Sequence, residues 1–269
     1  MGTAWLEKPI KGFLLDISGV LKNGDEVING SIMAIEKLRL SKVPFRLVTN
    51  ETQTTTSNLV KELNKLGFAI SEEEVFAPVP VLVNILKSNQ LRPFLVVHKQ
   101  VMKEFKDIDK TDPNCVVLGD AGPNFSFENM NKAFRILVNL AEPKFFSLGL
   151  GKYYKEKDGL TLDVGAFTKA LEFSSGVKPK VIGKPDASFF LTAVEDMNLP
   201  PSEVVMVGDD IESDVGGAQA CGLRGVLVKT GKFRPGDESH PRVKPDAIVT
   251  NLYQTVEMVL NSPYNVTSC

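Results

Sequence analysis

The chain has 269 residues, of which 43% are hydrophobic, enough to fill the core of one large domain or two modest ones. Its formal net charge is −2, with neither basic runs nor arginine-rich arms, which argues against nucleic acid or an anionic membrane surface as the main partner. No apolar stretch reaches the length needed to cross a bilayer, so no membrane partner is expected.

Cysteine usage and the N-terminal segment bear on location. Cys115, Cys221 and Cys269 lack the spacing of metal ligands and predict a reducing compartment without a disulfide framework. The first apolar run after Lys11 is short and leads straight into a strand, so we do not expect a signal peptide. We therefore expect a cytoplasmic protein, with the nucleus as a second location.

The first predicted strand carries the first candidate site residue. Three apolar residues at 13–15 end in a lone carboxylate, Asp16, which is followed by Ser18 and Gly19. Glycine allows a tight turn just beyond the strand. Ligands of open α/β sheets bind outside the carboxyl ends of the strands, so Asp16 could be a metal ligand or a nucleophile. The alternative is an aspartate that caps a helix.

The next elements repeat a β-α-β pattern. Helical spacing predicts a helix over 31–40, and an apolar run at 44–48 predicts a strand leading into Thr49 and Asn50. Ser57 is placed to cap a second helix. Repeated β-α-β units indicate a Rossmann-like, doubly wound parallel sheet. The prolines at 78 and 80 interrupt the repetition.

A second α/β series then occupies residues 81–180. The patterns predict strands over 94–97, 115–118 and 144–148 and helices over 129–140 and 166–173. None of these strand ends presents paired acids. A block of this size with its own core indicates an inserted domain, so the predicted core is 1–80 plus 181–269.

The chain returns to the core with two further polar strand ends. A strand over 181–183 leads into Lys184, and a strand over 204–207 leads into Asp209 and Asp210, with Asp214 one helical turn later. Taken alone, Lys184 would more often be a solvated loop lysine, but its place after a buried strand and before Pro185 favours a site residue. Strands over 225–228 and 247–249 and a helix over 253–260 complete the predicted sheet.

Together, these strand ends predict a site for a phosphoryl group and a magnesium ion. Four strands of one parallel sheet would bring Asp16, Thr49, Lys184 and Asp209 to one edge. Aspartates supply the hard oxygen ligands that Mg²⁺ prefers, lysine supplies a point charge, and the hydroxyl donates to phosphate oxygens.

The motifs that carry these residues resemble those of the haloacid dehalogenase-like phosphohydrolases. All four core motifs are present in order, within the segments DISGVL, LVTNE, GKP and GDDIESDVGGAQ, and KTGKFRPGDE is also similar. The resemblance extends nearly end to end. Within this family, the chain most resembles a branch acting on inorganic pyrophosphate, phospholysine and phosphohistidine. It also resembles a less characterised hydrolase-like member of the same branch.

The resemblance implies a metal centre and an architecture. Mg²⁺ would be held by the carboxylates of Asp16 and Asp209 and the backbone carbonyl of Ser18, and Asp214 would orient these ligands. The block at 81–180 would be a C2-type α/β cap, and the protein would be a homodimer through that cap.

The resemblance also implies a reaction. Asp16 would attack phosphorus and form an aspartyl-phosphate that water cleaves. Lys184 would screen this nucleophile and hold the phosphate, while Thr49 and Asn50 would bind the remaining phosphoryl oxygens. The substrate would be a small phosphorylated molecule or a phosphorylated protein side chain.

Ser18 departs from the family pattern. Most such phosphatases carry a second aspartate at this position, which protonates the leaving group, and a hydroxyl cannot do this work. The enzyme is therefore either impaired or selective for substrates that leave without an acid. Pyrophosphate expels phosphate, a stable anion, and a phosphoramidate can protonate on its own nitrogen.

For other polar residues, the sequence gives weaker grounds for a role in the site. Tyr153, Tyr154, Lys155 and Asp163 lie in a polar stretch that could face substrate or form a surface hairpin. By contrast, His98 fits an ordinary strand end. His240 fits a solvated loop, and Asp210 fits either a neighbour of the metal or a helix cap.

The sequence therefore predicts a Mg²⁺-dependent phosphatase for pyrophosphate and P–N bonds. One alternative is a phosphatase for small sugar or nucleotide phosphate esters. The other is a catalytically weak relative that binds phosphorylated partners: the absent acid at Ser18 favours it, while intact Lys184 and both metal-site acids argue against it.

Overall fold

The computed structural model describes residues 4–156 and 159–264 and divides into two compact units. The first comprises residues 1–49, 60–76 and 184–269, and the second comprises 50–59 and 77–183. Cys269 lies outside the described residues. No helix in the described ranges is both long enough and apolar enough to span a bilayer.

The regular elements follow one another as alternating strands and helices. The strands are β1 (Gly12–Leu15), β2 (Lys22–Asn23), β3 (Glu26–Val27), β4 (Phe45–Val48), β5 (Val75–Phe76), β6 (Pro93–Val96), β7 (Cys115–Leu118), β8 (Lys144–Ser147), β9 (Tyr153–Glu156), β10 (Gly159–Leu162), β11 (Lys180–Val181), β12 (Val204–Gly208), β13 (Arg224–Val228) and β14 (Ala247–Val249). The α-helices are α1 (Ser31–Leu40), α2 (Thr56–Lys65), α3 (Pro78–Ser88), α4 (Phe127–Asn139), α5 (Val164–Ser175), α6 (Ala187–Asp196), α7 (Gly217–Ala220) and α8 (Leu252–Leu260).

The first unit is built on a six-stranded sheet in the order β14-β13-β12-β1-β4-β5. Every neighbouring pair is parallel, and β1 is buried along its whole length, which is typical of a sheet covered on both faces. Because all strands run the same way, their carboxyl ends lie at one edge. The predicted α/β class with a parallel core sheet is confirmed.

The second unit is built on a four-stranded parallel sheet in the order β11-β8-β7-β6. Successive residues of β7 point to opposite faces. Cys115 and Val117 join an apolar cluster with α3, while Val116 and Leu118 join another with α4 and α5. β9 and β10 pair antiparallel, so the polar stretch around Tyr153 forms a hairpin.

The structure corrects the strand before Lys184. It is β11, of two residues, and it pairs with β8 in the sheet of the second unit rather than in the core sheet. A short apolar run predicts a strand but carries no information about which sheet it joins. Lys184 therefore begins the return to the first unit without following one of its strands.

One helix start differs from the prediction. The cap of α2 is Thr55, whose Oγ1 accepts from Asn58 N at 3.3 Å, and not Ser57. The core repetition is interrupted at the predicted place, because the second unit resumes at residue 77. The prolines at 78 and 80 lie in the first turn of α3, which has no intrahelical use for the missing N–H groups.

The unit boundaries fall near residues 76 and 183 rather than 80 and 180, and residues 50–59 group with the second unit. Several other predicted elements are confirmed. The helix over 31–40 and the strand over 115–118 match at both ends.

Candidate active site

Two neighbouring strands deliver the first two acids to the same edge. β1 and β12 are paired with Leu15 opposite Val207, and Asp16 N donates to Val207 O at 3.0 Å. Asp16 and Asp209 are therefore the first residues beyond the carboxyl ends of adjacent parallel strands. This arrangement confirms that both acids lie at the predicted edge of the sheet.

A third acid completes a buried carboxylate cluster, defined here as Asp16, Asp209 and Asp214. Their exposed fractions are 7%, 2% and 1%, and one oxygen of each lies within 4.8 Å of the others. Asp214 is carried by a π-helical turn at Ile211–Gly216, and its Oδ2 accepts from Asp210 N at 3.1 Å. The cluster brings together the side chains predicted to surround a metal.

Lys184 forms ion pairs with two acids of the cluster. Its Nζ lies 2.6 Å from Asp16 Oδ1 and 2.6 Å from Asp214 Oδ1, and the residue is only 4% exposed. Burial lowers the pKa of Lys184, but the two carboxylates raise it by more, so the lysine is charged at neutral pH. The prediction that Lys184 accompanies Asp16 is confirmed, and the solvated-loop alternative is wrong.

One ammonium does not neutralise three buried carboxylates, and the excess negative charge alters their titration. Burial, together with the charges of Asp16 and Asp214, raises the pKa of Asp209 to about 8. Burial raises the pKa of Asp214 to about 6, although Lys184 opposes this shift. The cluster thus favours additional positive charge, which a divalent cation can supply.

The donor set fits such a cation. Asp209 Oδ1 is buried and has no hydrogen-bond partner among the described residues, while its Oδ2 accepts from Lys232 N at 2.7 Å. A buried carboxylate oxygen without a donor is costly unless something else pairs with it. Carboxylate oxygens are the ligands that hard divalent cations prefer. Asp16, Asp209 and Asp214 could therefore hold a divalent metal.

Two glycines permit the chain to pass close to Asp209. Gly19 has φ of 89° and Gly231 has φ of 58°, the left-handed region that favours glycine. A Cβ on either residue would lie 2.0 Å from Asp209 Oδ2, and a Cβ on Gly231 would also lie 2.5 Å from Gly19 Cα. The position of Asp209 thus depends on the absence of side chains at both glycines.

Sequence reasoning missed the segment after β13 as part of the site. Thr230 donates its hydroxyl to Gly19 O, Lys232 N donates to Asp209 Oδ2, and Lys232 Nζ lies 3.4 Å from Asp210 Oδ2. The spacing of residues in KTGKFRPGDE gives no indication of a backbone donor. The available signal was that β13 was also predicted to end at this edge.

The remaining predicted residues are placed as follows. Thr49 is buried just after β4, the other neighbour of β1, and donates its N–H to Phe76 O at 3.1 Å. Ser18 is exposed and follows Asp16 by two residues. Asn50 groups with the second unit, where its Oδ1 would lie 2.7 Å from a Cβ on Gly183. The roles assigned to Ser18, Thr49 and Asn50 stay predictions.

Four of the polar residues for which the sequence gave weaker grounds make local hydrogen bonds, mostly at the starts of helical segments. Asp210 caps the π-helical turn by accepting from Glu212 N and Ser213 N, and Asp163 accepts from Val164 N at the start of α5. His98 caps a 3₁₀ turn. The prediction of a solvated His240 is wrong, because its Nδ1 accepts from Val243 N and its side chain is only 16% exposed.

Comparison with known proteins places this geometry in a family. Residues 13–111 match the haloacid dehalogenase-like hydrolase family model, and residues 181–255 match a second hydrolase-like model of the same group. The chain is 49% identical over 258 residues to the phospholysine phosphohistidine inorganic pyrophosphate phosphatase of Xenopus laevis, covering 94% of this chain and 96% of the relative.

Two further relatives extend the comparison. The chain is 40% identical over 253 residues to haloacid dehalogenase-like hydrolase domain-containing protein 2 of Bos taurus, covering 94% of this chain and 97% of the relative. The crystal structure of 4-nitrophenylphosphatase from Thermotoga maritima superposes with a TM-score of 0.86 at 27% identity, covering 95% of this chain and 99% of that one.

The glycine contacts predict the effect of a single methyl group. Gly231→Ala should weaken divalent-cation affinity by about tenfold or more, because the added Cβ would lie 2.0 Å from Asp209 Oδ2 and displace that carboxylate. The backbone at this position is also in the left-handed region, which is disfavoured for alanine. Calorimetric titration with the cation measures the affinity. The matched control is Gly236→Ala, whose Cβ would meet nothing within 4 Å. Equal affinities in the two variants would contradict the account.

The raised acid pKa values predict a pH-dependent cation affinity. Below its pKa of about 8, Asp209 is protonated in the cation-free protein, so the cation must displace that proton. Apparent affinity should therefore fall about tenfold per pH unit from pH 8 to pH 6, and more steeply below about 6, where Asp214 also protonates. Calorimetry in buffers of different ionisation enthalpy counts the released protons. Affinity that is constant over this range would refute the prediction.

Proposed function

This chain belongs to the haloacid dehalogenase-like hydrolase family and is a phosphatase, and we propose that it is a Mg²⁺-dependent enzyme for inorganic pyrophosphate and for P–N bonds. The P–N substrates are phospholysine, phosphohistidine and imidodiphosphate. The observation that carries the proposal is the pair of 2.6 Å contacts that Lys184 makes with Asp16 and Asp214 inside the buried cluster. Relatives about 50% identical over most of the chain carry phospholysine, phosphohistidine and inorganic pyrophosphate in their names.

Asp16 is the proposed nucleophile. A phosphate oxyanion at 4 Å from its carboxylate is repelled by roughly 4 kcal/mol per charge pair at an effective dielectric of ~20. Lys184 Nζ, which lies 2.6 Å from Asp16 Oδ1, offsets part of this repulsion. A cation held by the carboxylate cluster would offset the rest, so attack on phosphorus is proposed to depend on both positive charges.

Mg²⁺ would be held by the carboxylates of Asp16 and Asp209 and the carbonyl of Ser18. When bound, it would neutralise charge on the phosphoryl oxygens. Asp214, which pairs with Lys184 and accepts from Asp210 N, would keep these residues in place. Thr49 and Asn50 are proposed to donate hydrogen bonds to the phosphoryl oxygens.

The reaction proceeds in two displacements. An oxygen of Asp16 forms a bond to phosphorus while the bridging P–O or P–N bond breaks, and the leaving group takes the bonding electrons. Water then attacks phosphorus, releases phosphate and restores the Asp16 carboxylate. The first step leaves no role for a side-chain acid when the leaving group is phosphate or an amine protonated on its own nitrogen.

Phosphate esters of sugars or nucleotides are the second candidate class. The likeness to a 4-nitrophenylphosphatase favours esters, whereas the serine at position 18 disfavours leaving groups that need a proton. A protein that only binds phosphorylated partners is disfavoured by the paired Lys184 and the complete carboxylate cluster.

The inserted unit is proposed to act as the cap that selects the substrate, with the stretch of β9 and β10 as its candidate substrate-facing part. The homodimer and the cytoplasmic and nuclear locations also stay predictions. The proposed targets include phosphorylated protein side chains as well as small molecules.

The nucleophile is tested by removing its charge. Asp16→Asn should abolish Mg²⁺-dependent release of phosphate from pyrophosphate, because an amide oxygen does not form the phosphoryl bond. Phosphate is measured colorimetrically with and without EDTA. Asp112→Asn is the control, since the Asp112 side chain is 98% exposed. Undiminished release by Asp16→Asn would exclude the proposed nucleophile.

The effect of the missing acid on leaving-group preference is tested at Ser18. Ser18→Asp should raise kcat/KM for an alkyl phosphate relative to pyrophosphate, by up to about 10²-fold, because the new carboxyl group can protonate an alkoxide. Asparagine is nearly the same size as aspartate but is not an acid, so Ser18→Asn should keep the wild-type ratio. If the ratio stays the same in Ser18→Asp, the missing acid does not set the leaving-group preference.

A further inference from the structure

Lys232 is fixed beside the carboxylate cluster by backbone contacts that do not use its side chain. β13 lies next to β12, so the segment that follows it starts at the edge that carries Asp209. Lys232 N donates to Asp209 Oδ2 at 2.7 Å, and the preceding Gly231 lies against Gly19. The backbone from which the Lys232 side chain extends is therefore held by the same contacts that position Asp209.

The ammonium group of Lys232 is available to a ligand. Its side chain is 64% exposed, and Nζ lies 3.4 Å from Asp210 Oδ2. Asp210 is held independently, because its Oδ1 accepts from Glu212 N and Ser213 N. An exposed ion pair of this length contributes little to stability, so the ammonium can turn towards an anion at small cost.

The other lysines near this edge are differently placed. Lys184 is buried between two acids of the cluster. Lys22 Nζ lies 3.8 Å from Glu62 and its side chain is only 14% exposed. Lys229 Nζ lies 2.5 Å from Glu238. Of these four lysines, Lys232 alone combines an exposed side chain with a backbone contact to the cluster.

The Lys232 ammonium lies beside the carboxylate cluster. A lysine side chain is positively charged at neutral pH. Nζ lies 3.4 Å from Asp210 Oδ2, and the backbone N–H of the same residue contacts Asp209. The side chain is therefore placed to bind an anion that is brought to the cluster.

We propose that the Lys232 ammonium binds the second phosphoryl group of a diphosphate substrate and so favours pyrophosphate over phosphate monoesters. This inference rests on the proposed function and deepens it. One phosphoryl group is transferred to Asp16 beside Lys184, and the other departs as phosphate. Ser18 offers that departing group no proton, whereas Lys232 offers it positive charge. A phosphate monoester carries no second phosphoryl group for this lysine to bind.

The test separates binding of a second phosphoryl group from activity. Lys232→Met keeps the apolar stem and the backbone donor to Asp209, Lys232→Arg keeps the charge, and Lys229→Met removes a nearby lysine charge. Calorimetry with Mg²⁺ present measures the Kd of methylenediphosphonate, which is not hydrolysed, and of inorganic phosphate.

Lys232→Met should raise the Kd of methylenediphosphonate about 10- to 100-fold, the size expected for one charge-assisted hydrogen bond, and raise that of phosphate much less. Lys232→Arg should recover most of the loss, and Lys229→Met should stay within about twofold of wild type. With pyrophosphate and 4-nitrophenyl phosphate as substrates, the ratio of their kcat/KM values should fall at least about tenfold in Lys232→Met.

Three results would overturn the inference: equal losses for methylenediphosphonate and phosphate, no loss for either, or wild-type protein that binds the diphosphonate no more tightly than phosphate. A parallel loss of Mg²⁺ affinity in Lys232→Met would likewise assign the lysine a structural role. Failure of the proposed function looks different. The wild-type enzyme would then hydrolyse 4-nitrophenyl phosphate but not pyrophosphate, whatever its diphosphonate affinity.

Discussion

The electrostatics of three buried carboxylates beside a single ammonium govern this site. Asp16, Asp209 and Asp214 are nearly inaccessible to water, and Lys184 contacts two of them at 2.6 Å. Removing charges from water is costly unless they are paired, and here the acids outnumber the lysine. The raised pKa values of Asp209 and Asp214 express this imbalance. A divalent cation would remove it, so cation binding and stability of this region should be coupled.

The main chain rather than side-chain packing holds the acids close together. The parallel ladder between β1 and β12 fixes Asp16 and Asp209 side by side. Gly19 and Gly231 allow two loops to pass within contact distance of Asp209, and Gly208, where a Cβ would lie 2.2 Å from Asp214 Cβ, does the same for Asp214. Rigid strand ends and tight turns suit a site that must hold three acids close together before its cation binds.

The proposed roles of the two lysines concern different groups of the substrate. Lys184 is buried and is proposed to act on the phosphoryl group that is transferred, whereas Lys232 is exposed and is assigned to the group that leaves. With serine at position 18, charge rather than a proton would assist departure. This arrangement suits pyrophosphate, whose leaving group is an anion, better than an ester whose leaving group needs a proton.

The sequence predicted five of the six core strands and the positions of Asp16 and Asp209, because apolar runs that end abruptly in acids mark buried strands and their carboxyl ends. It predicted neither the short strand β5 nor which sheet receives β11, since a strand of two residues carries little pattern and no information about its partner. It also missed Lys232 N as a donor to Asp209, because a backbone contact leaves no pattern of residue types. The grouping of residues 50–59 with the second unit depends on tertiary contacts that periodicity does not encode.

The most direct test of the central claim is a crystal structure of the protein with Mg²⁺ and beryllium trifluoride, which mimics a phosphoryl group bonded to a carboxylate. The account predicts beryllium bonded to an oxygen of Asp16, Lys184 Nζ in contact with a fluoride, and Mg²⁺ held by Asp16 and Asp209. Beryllium fluoride bonded to another residue, or Mg²⁺ bound away from Asp16 and Asp209, would contradict it.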